Sequence, residues 1–278
     1  MSAAQLTAEG LRFDRQYILI KTPENDSEKL AEHLTIKKTF DLCLFQPAID
    51  RSWSKLTITH IRSFPSSSIT IPLTPSPLSL LSSKTYQVNI FGTIAVGVDM
   101  GPGPAEFFTK HLKRAVRLLF IAGTGRREIP GAAYSPNHGM PLSLVAGQGF
   151  QPQRIRFADA APLLITSSAS EEDARSRLPE ASRSEDVILR FRPNIHIGTH
   201  DKLPPYDEDD WALLAIQTES GTVSVKCLFK TIRCLSLNVD MEKGIMATRE
   251  RQLYGLLARD RRVNDAFPRK SLFSSCRW

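Results

Sequence analysis

TVSVKCLFKTIRCLSL, residues 222–237, alternates apolar and polar side chains, reads as a strand, and carries Cys234 beside Arg233 near its end. A cation next to a thiol favours the thiolate, the form of sulfur that binds soft metals. A single cysteine is equally able to serve as a small buried hydrophobe, so a packing role stays open for Cys234. Cys227 lies seven residues earlier. On one strand that odd spacing puts the two on opposite faces, so they do not form a local chelating pair.

Working back from there, YDEDDWALLAI (206–216) reads as a turn into a strand, with Asp207, Glu208, Asp209 and Asp210 as a solvated acidic turn. RFRPNIHIG (190–198) reads as a strand in which Arg190, Arg192 and Asn194 share one face. Two guanidiniums and an amide on one face are suited to a phosphate or another planar anion, or they form an ordinary solvated face. His196 and His200 have the i, i+4 spacing of a zinc pair, but Pro193 and Gly198 argue against the helix that spacing requires. No Gly-x-Ser-x-Gly hydrolase signature occurs. The Gly-Pro-Gly-Pro turn at 101–104 lacks the Lys and Ser/Thr of a phosphate loop.

Further out, 154–167 reads as a strand pair. SASEEDARSRL (168–178) reads as a helix opened by a capping-box-like Ser170 and Asp173. Residues 124–150 are rich in Gly and Pro and mark the best boundary. In the first half, strands are expected at 10–20, 39–49, 55–64, 84–100 and 115–123, with helices at 26–39 and 104–112. From Ser63 to Ser83, 12 of 21 residues are Ser or Pro, which marks a surface loop around short strands. Strands outnumber helices, so the expected class is α+β, mostly β.

The 278 residues allow one large or two modest domains, and 41% hydrophobic with 23% charged residues is a globular composition, not a disordered one. No apolar run approaches a membrane span, and MSAAQLTAEG shows no secretory signal. Four cysteines without repeating spacing do not make a disulfide framework, which predicts free thiols and a reducing compartment. The net charge is +7, of which +5 falls in residues 248–278. That basic tail reads as a loosely held terminus. Its sparse aromatics, Tyr254, Phe267, Phe273 and Trp278, make nucleic acid a weak choice of partner.

Taken in order, GLRFDRQYILI, DMGPGPAEFFTKHL, FADAAPLLITS, RFRPNIHI, YDEDDWALLAI and RCLSLNVDMEKG resemble the MOSC family, the molybdenum-cofactor sulfurase C-terminal domain fold. The branch it looks most like has an N-terminal β-barrel domain and includes the mitochondrial amidoxime-reducing component. The resemblance implies an N-terminal β-barrel-like domain over 1–123, without its first strand, and a MOSC domain over 124–278. It also implies a molybdenum–pyranopterin cofactor with Cys234 as metal ligand. Arg15, Arg192, Asn194 and Arg233 would contact the cofactor, and Asp159 would stand as an acidic residue beside the metal. The implied activity is an oxidoreductase that reduces N-hydroxylated small molecules with electrons from a separate protein, inside the cell in cytoplasm or mitochondria. The alternatives are cofactor binding or sulfur carriage without reduction, or a degenerate, non-catalytic member of the family. In the sulfurases the MOSC domain follows a pyridoxal-phosphate desulfurase domain, for which this chain has no room. Departures from the family pattern are Thr231 and Ile232 before the cysteine, Ala160 and Ala161 after the aspartate, and a Pro-x-Lys-Ser strand expected before Met1.

Overall fold

The computed structural model describes residues 4–24, 30–128, 154–159, 161–198, 203–227, 230–231 and 233–262. It is α+β and mostly β, as the strand-rich pattern predicts. A small ribbon of β1 (Leu6–Thr7) and β2 (Gly10–Leu11) precedes a curled five-stranded half-barrel. That sheet contains β3 (Tyr17–Lys21), β4 (Leu30–Ala31), β8 (Thr85–Ile90), β9 (Thr93–Asp99) and β10 (Val116–Ile121). Its order is β3-β10-β9-β8-β4. A second sheet is the meander of β5 (Phe45–Ile49), β6 (Lys55–His60) and β7 (Ser67–Pro72), followed by the short α1 (Pro77–Leu81).

Period-two burial builds the half-barrel: in β8, Tyr86, Val88 and Ile90 are buried while Thr85, Gln87 and Asn89 face solvent. The β8–β9 hairpin turns through Phe91 and Gly92, with φ of 51° and 83°. Two left-handed residues in a row match the right-handed twist of the flanking strands. Tyr86, Val88, Ile90, Ala95, Leu119, Ile121 and Ile20 pack one core, which Phe157 from the second half completes. The meander and α2 (Pro102–Leu112) close another around Ile58, Ile71, Phe108 and Leu112.

A stacked pair of imidazoles joins α2 to the meander. His60 and His111 lie 4.3 Å apart, tied by Ser63 and by Ser67, which meets His111 at 2.9 Å. Burial holds both rings below the ordinary histidine pKa. Asp41 opposes this at His60; the charges of His60, Lys110 and Lys113 add to it at His111. The folded pKa therefore lies below the unfolded one. As the pH falls through about 6.5, the unfolded chain takes up protons first and stability drops. The thermal midpoint of His60→Gln/His111→Gln is expected to fall less than that of the wild type between about pH 7.5 and about pH 5.5. His33, also lowered by burial, keeps a residual slope. Equal losses in the two proteins would show that the pair does not carry the effect.

In the second half, β11 (Arg127–Glu128) pairs with β12 (Arg154–Ile155), and β13 (Ile165–Ser167) lies parallel to β14 (Ile195–Ile197). The crossover between the parallel strands holds α3 (Ser168–Ser176) and the short α4 (Ile188–Phe191). A hairpin of β15 (Leu213–Thr218) and β16 (Gly221–Lys226) follows, then β17 (Val239–Asp240), β18 (Ile245–Met246) and α5 (Leu253–Leu257). Their core is Ala174, Leu178, Val187, Phe191, Tyr206, Leu237, Leu253 and Leu257. Among the described residues no helix is long and apolar enough to cross a membrane.

Several expectations are corrected. Of the range 26–39, residues 30–39 are described, and they hold β4 and a turn, not a helix, with Ala31 buried alongside β8. Residues 39–49 begin as a 3-10 turn (Phe40–Leu44) before the strand. The strands at 154–167 pair elsewhere and not with each other. The cap of α3 is Ser167, whose hydroxyl accepts from the Ser170 amide at 3.2 Å. The strand at 222–237 stops at Lys226. The basic segment docks as far as it is described. Arg251 pairs with Glu185 and Asp240, Arg261 pairs with Asp209 and stacks on Tyr206, and Leu253 is fully buried. Cys227 is disulfide-bonded, so not all thiols are free and the cysteines give no ground for a reducing compartment. Most of 124–150, His200, Ala160, Ile232 and the end of the tail lie outside the described residues.

Candidate active site

Three tight turns converge on one side of the molecule. The first follows β2. Asp14 bonds back to Leu11 O at 3.1 Å, and Phe13 and Arg15 both adopt positive φ, 68° and 49°. Arg156 clasps this turn by donating to Leu11 O at 3.0 Å and Asp14 O at 3.3 Å. Arg15 is paired through its guanidinium with the Asp14 carboxylate.

The second turn corrects the expected strand at 190–198. Residues 188–191 are the last turn of a helix, and Arg192 ends it in the left-handed region at φ 54°. Pro193 then forbids continuation, the usual sequel to a helix terminus. Arg190, Arg192 and Asn194 therefore do not share a face. Arg190 points into the core, with its side chain fully buried against Glu185. Asn194 closes the gap between turns. Its side-chain oxygen accepts from Leu164 N at 2.9 Å, and its amide donates to Asp14 Oδ2 at 2.8 Å.

The third turn is the 3-10 helix Leu235–Asn238, capped at its N-terminus by Cys234. The Cys234 thiol is exposed and free. Its sulfur lies 3.2 Å from Ser236 Oγ, and that oxygen accepts from Arg192 Nη2 at 3.3 Å. The turn is anchored from behind, where Leu237 and Asn238 are buried and the Asn238 side chain accepts from Tyr254 N at 2.9 Å.

Electrostatics ties the three turns together. Arg192 is open to solvent, yet enough protein surrounds its head that desolvation lowers its pKa. The same guanidinium feels Asp159 and Cys234 as favourable charges and Arg15 as an opposing one. Asp159 is exposed, while its backbone carbonyl is held by buried Arg127, which also donates to Thr93 Oγ1 at 2.7 Å. Burial pulls the Arg127 pKa down to about 10.

Of the residues chosen from sequence, Arg192 is linked to Cys234 through Ser236, the charges of Asp159 and Arg15 reach Arg192, and Asn194 touches the Arg15 turn through Asp14. Arg233 stands behind. It is buried over the Phe191 ring at 5.1 Å and donates to Phe191 O at 3.1 Å, bracing the turn that presents Arg192. The sequence reading missed Ser236, Asp14 and Arg127. Only Ser236, two residues from the candidate ligand, carried a signal in its spacing. His196 meets Thr166 at 2.9 Å and Glu171 at 3.1 Å, while His200 of the same spacing lies outside the described residues. The acidic run is not a solvated turn: Glu208 is buried and accepts from the Ser167 and Ser170 hydroxyls, and Asp209 is buried against Arg261.

The chain is similar to several known proteins. The MOSC domain family model matches residues 152–268. Mitochondrial amidoxime reducing component 2 of Macaca fascicularis is 30% identical over 61% of this chain and 44% of its own length. Human mitochondrial amidoxime-reducing component 1 is 27% identical over 90% of this chain and 64% of its own. A molybdenum cofactor sulfurase of Drosophila willistoni is 27% identical over 86% of this chain and 25% of its own. The chain spans less than two thirds of the length of these relatives. The match at residues 152–268, which hold Cys234, Arg192, Asn194 and Asp159, makes that part of the chain similar to MOSC domains.

Proposed function

We propose that this chain binds a molybdenum–pyranopterin cofactor at the cleft and reduces N-hydroxylated small molecules with electrons from a separate protein. One observation carries the reading: an exposed thiol, Cys234, is joined through the Ser236 hydroxyl to the Arg192 guanidinium, with the charge of Arg15 close enough to act on it. The donor set fits the group. Among the described residues no three His, Cys, Asp or Glu converge as a protein-made chelate. A single thiolate suits a metal that arrives with its other soft ligands, and planar guanidiniums suit a phosphate.

When bound, the cofactor supplies the two-electron redox chemistry. The chain's own groups do the rest. Cys234 provides the protein sulfur ligand. Arg192 and Arg15 hold the anionic part, and Asn194 keeps Arg15 in register by fixing Asp14. Asp159 offers a carboxylate on the exposed side, where a proton can pass to the oxygen leaving the substrate. The names of the amidoxime-reducing relatives favour a mitochondrial site of action. Similarity to a cofactor sulfurase supports a second reading, in which the same cleft binds the cofactor for sulfur delivery.

Protein co-produced with cofactor-synthesis enzymes is expected to carry molybdenum and pterin in stoichiometric amount, by elemental analysis and pterin fluorescence. Protein with neither would sink both readings. Loaded protein that reduces no amidoxime but accepts sulfur from a desulfurase would select the second.

A further inference from the structure

We propose that Ser236 is a positioning residue, whose hydroxyl accepts the Arg192 guanidinium and gives its own hydrogen to the Cys234 sulfur, fixing a cation beside that sulfur. The contacts are 3.3 Å from Arg192 Nη2 to Ser236 Oγ and 3.2 Å from Ser236 Oγ to Cys234 Sγ. A serine hydroxyl has one hydrogen and two lone pairs. Once a lone pair is used by Arg192, the hydrogen is free to point at sulfur. A thiolate has no hydrogen, so in that form the hydroxyl must be the donor.

The frame around Ser236 is rigid while the groups it joins are not. Ser236 is 5% exposed, between exposed Leu235 and buried Leu237. Arg190 Nη1 lies 3.3 Å from Leu237 O, and Ala247 N donates to Asn238 O at 2.7 Å, so the turn cannot slide. Arg192 and Cys234 both reach solvent. Without an acceptor, a long arginine side chain would sample many rotamers and its charge would be only intermittently near the sulfur. Any ligand approaching Cys234 meets a cation held in place by a neutral, buried hydroxyl. The cleft is thereby selective for ligands whose negative charge lies beside the sulfur-binding atom. This deepens the proposed function and rests on it for the identity of the natural ligand, while the positioning itself is testable in protein without cofactor.

The test compares iodoacetate with iodoacetamide at Cys234, followed by peptide mass spectrometry. In both, the thiolate sulfur bonds to the methylene carbon and iodide leaves. The ratio of the two rates cancels the thiolate fraction and reports only the charge field at the sulfur. Ser236→Ala is expected to lower the iodoacetate preference by roughly three- to tenfold, Ser236→Thr to restore it, and Arg192→Gln to match the alanine variant. Added salt should erode the wild-type preference. An unchanged ratio in Ser236→Ala, with wild-type circular dichroism, overturns the proposal. A failure to load molybdenum would instead strike the functional reading and leave this ratio intact.

Discussion

On the proposed function, Cys234→Ser should retain a wild-type fold yet lose reduction of N-hydroxylated substrates by at least ~100-fold, because even partners outside a metal's own ligands cost roughly 10–100-fold. The two halves of that expectation have separate physical grounds. The thiol is exposed and free, and serine keeps a group that can meet Ser236. Surface exchanges of this kind usually change stability by no more than about 0.5 kcal/mol. Loss of activity then reports chemistry rather than folding. Elemental analysis, steady-state rates and a urea midpoint measured on the same preparation check it. Loaded, active Cys234→Ser would remove the cysteine from the ligand role.

Arg190→Met should cost about 3 kcal/mol of stability, a larger effect than any other single exchange near the site, because removing one partner of a buried pair strands the other. Arg190 donates to both Glu185 oxygens at 2.6 and 2.8 Å, to Arg251 O at 2.8 Å, and lies 3.3 Å from Leu237 O. Methionine fills much of the volume but leaves the carbonyls and carboxylate without that donor. Arg251 remains on Glu185 at 2.8 Å, which keeps the loss from being larger. Arg190→Lys should rescue little, since a point cation cannot reproduce the fork. A urea midpoint shift worth less than about 1 kcal/mol would contradict this account.

Arg190 also shows where the sequence is hard to read. Arg190, Arg192 and Asn194 alternate, but three positions are too few to separate a strand from the end of a helix followed by a turn. What decided the matter was Glu185, five residues back, which neutralises Arg190 inside the core. The acidic run at 207–210 failed in the same way. Its burial depends on Ser167 and Ser170, some forty residues away, whose hydroxyls satisfy Glu208. Long regular elements were legible, because their evidence is local. The strand character of 84–100 was legible, though not its break into two strands at Phe91 and Gly92, and Pro104 after the Gly-Pro-Gly turn marked the first turn of α2. The helix expected at 26–39 was lost to a two-residue strand, since pairing with β8 outweighs propensity over so short a run. At the site, residue types were legible and roles were not. Nothing in the order of residues distinguishes Arg192, which lines the cleft, from Arg233, which braces it.

The hydrogen bond between Asn194 and Asp14 joins residues 180 positions apart. The left-handed turns it unites, at Arg15 and Arg192, are unfavourable for non-glycine residues when alone, by about 1–2 kcal/mol each. Neither turn has reason to form in a partly made chain, and the segment between them must first be ordered. The cleft is therefore among the last features to exist during biogenesis. A growing chain on the ribosome has nothing with which to catch an anionic ligand until its C-terminal turns arrive. Capture of such a ligand then acts as a latch, adding RT ln(1 + [L]/Kd) to a structure already closed.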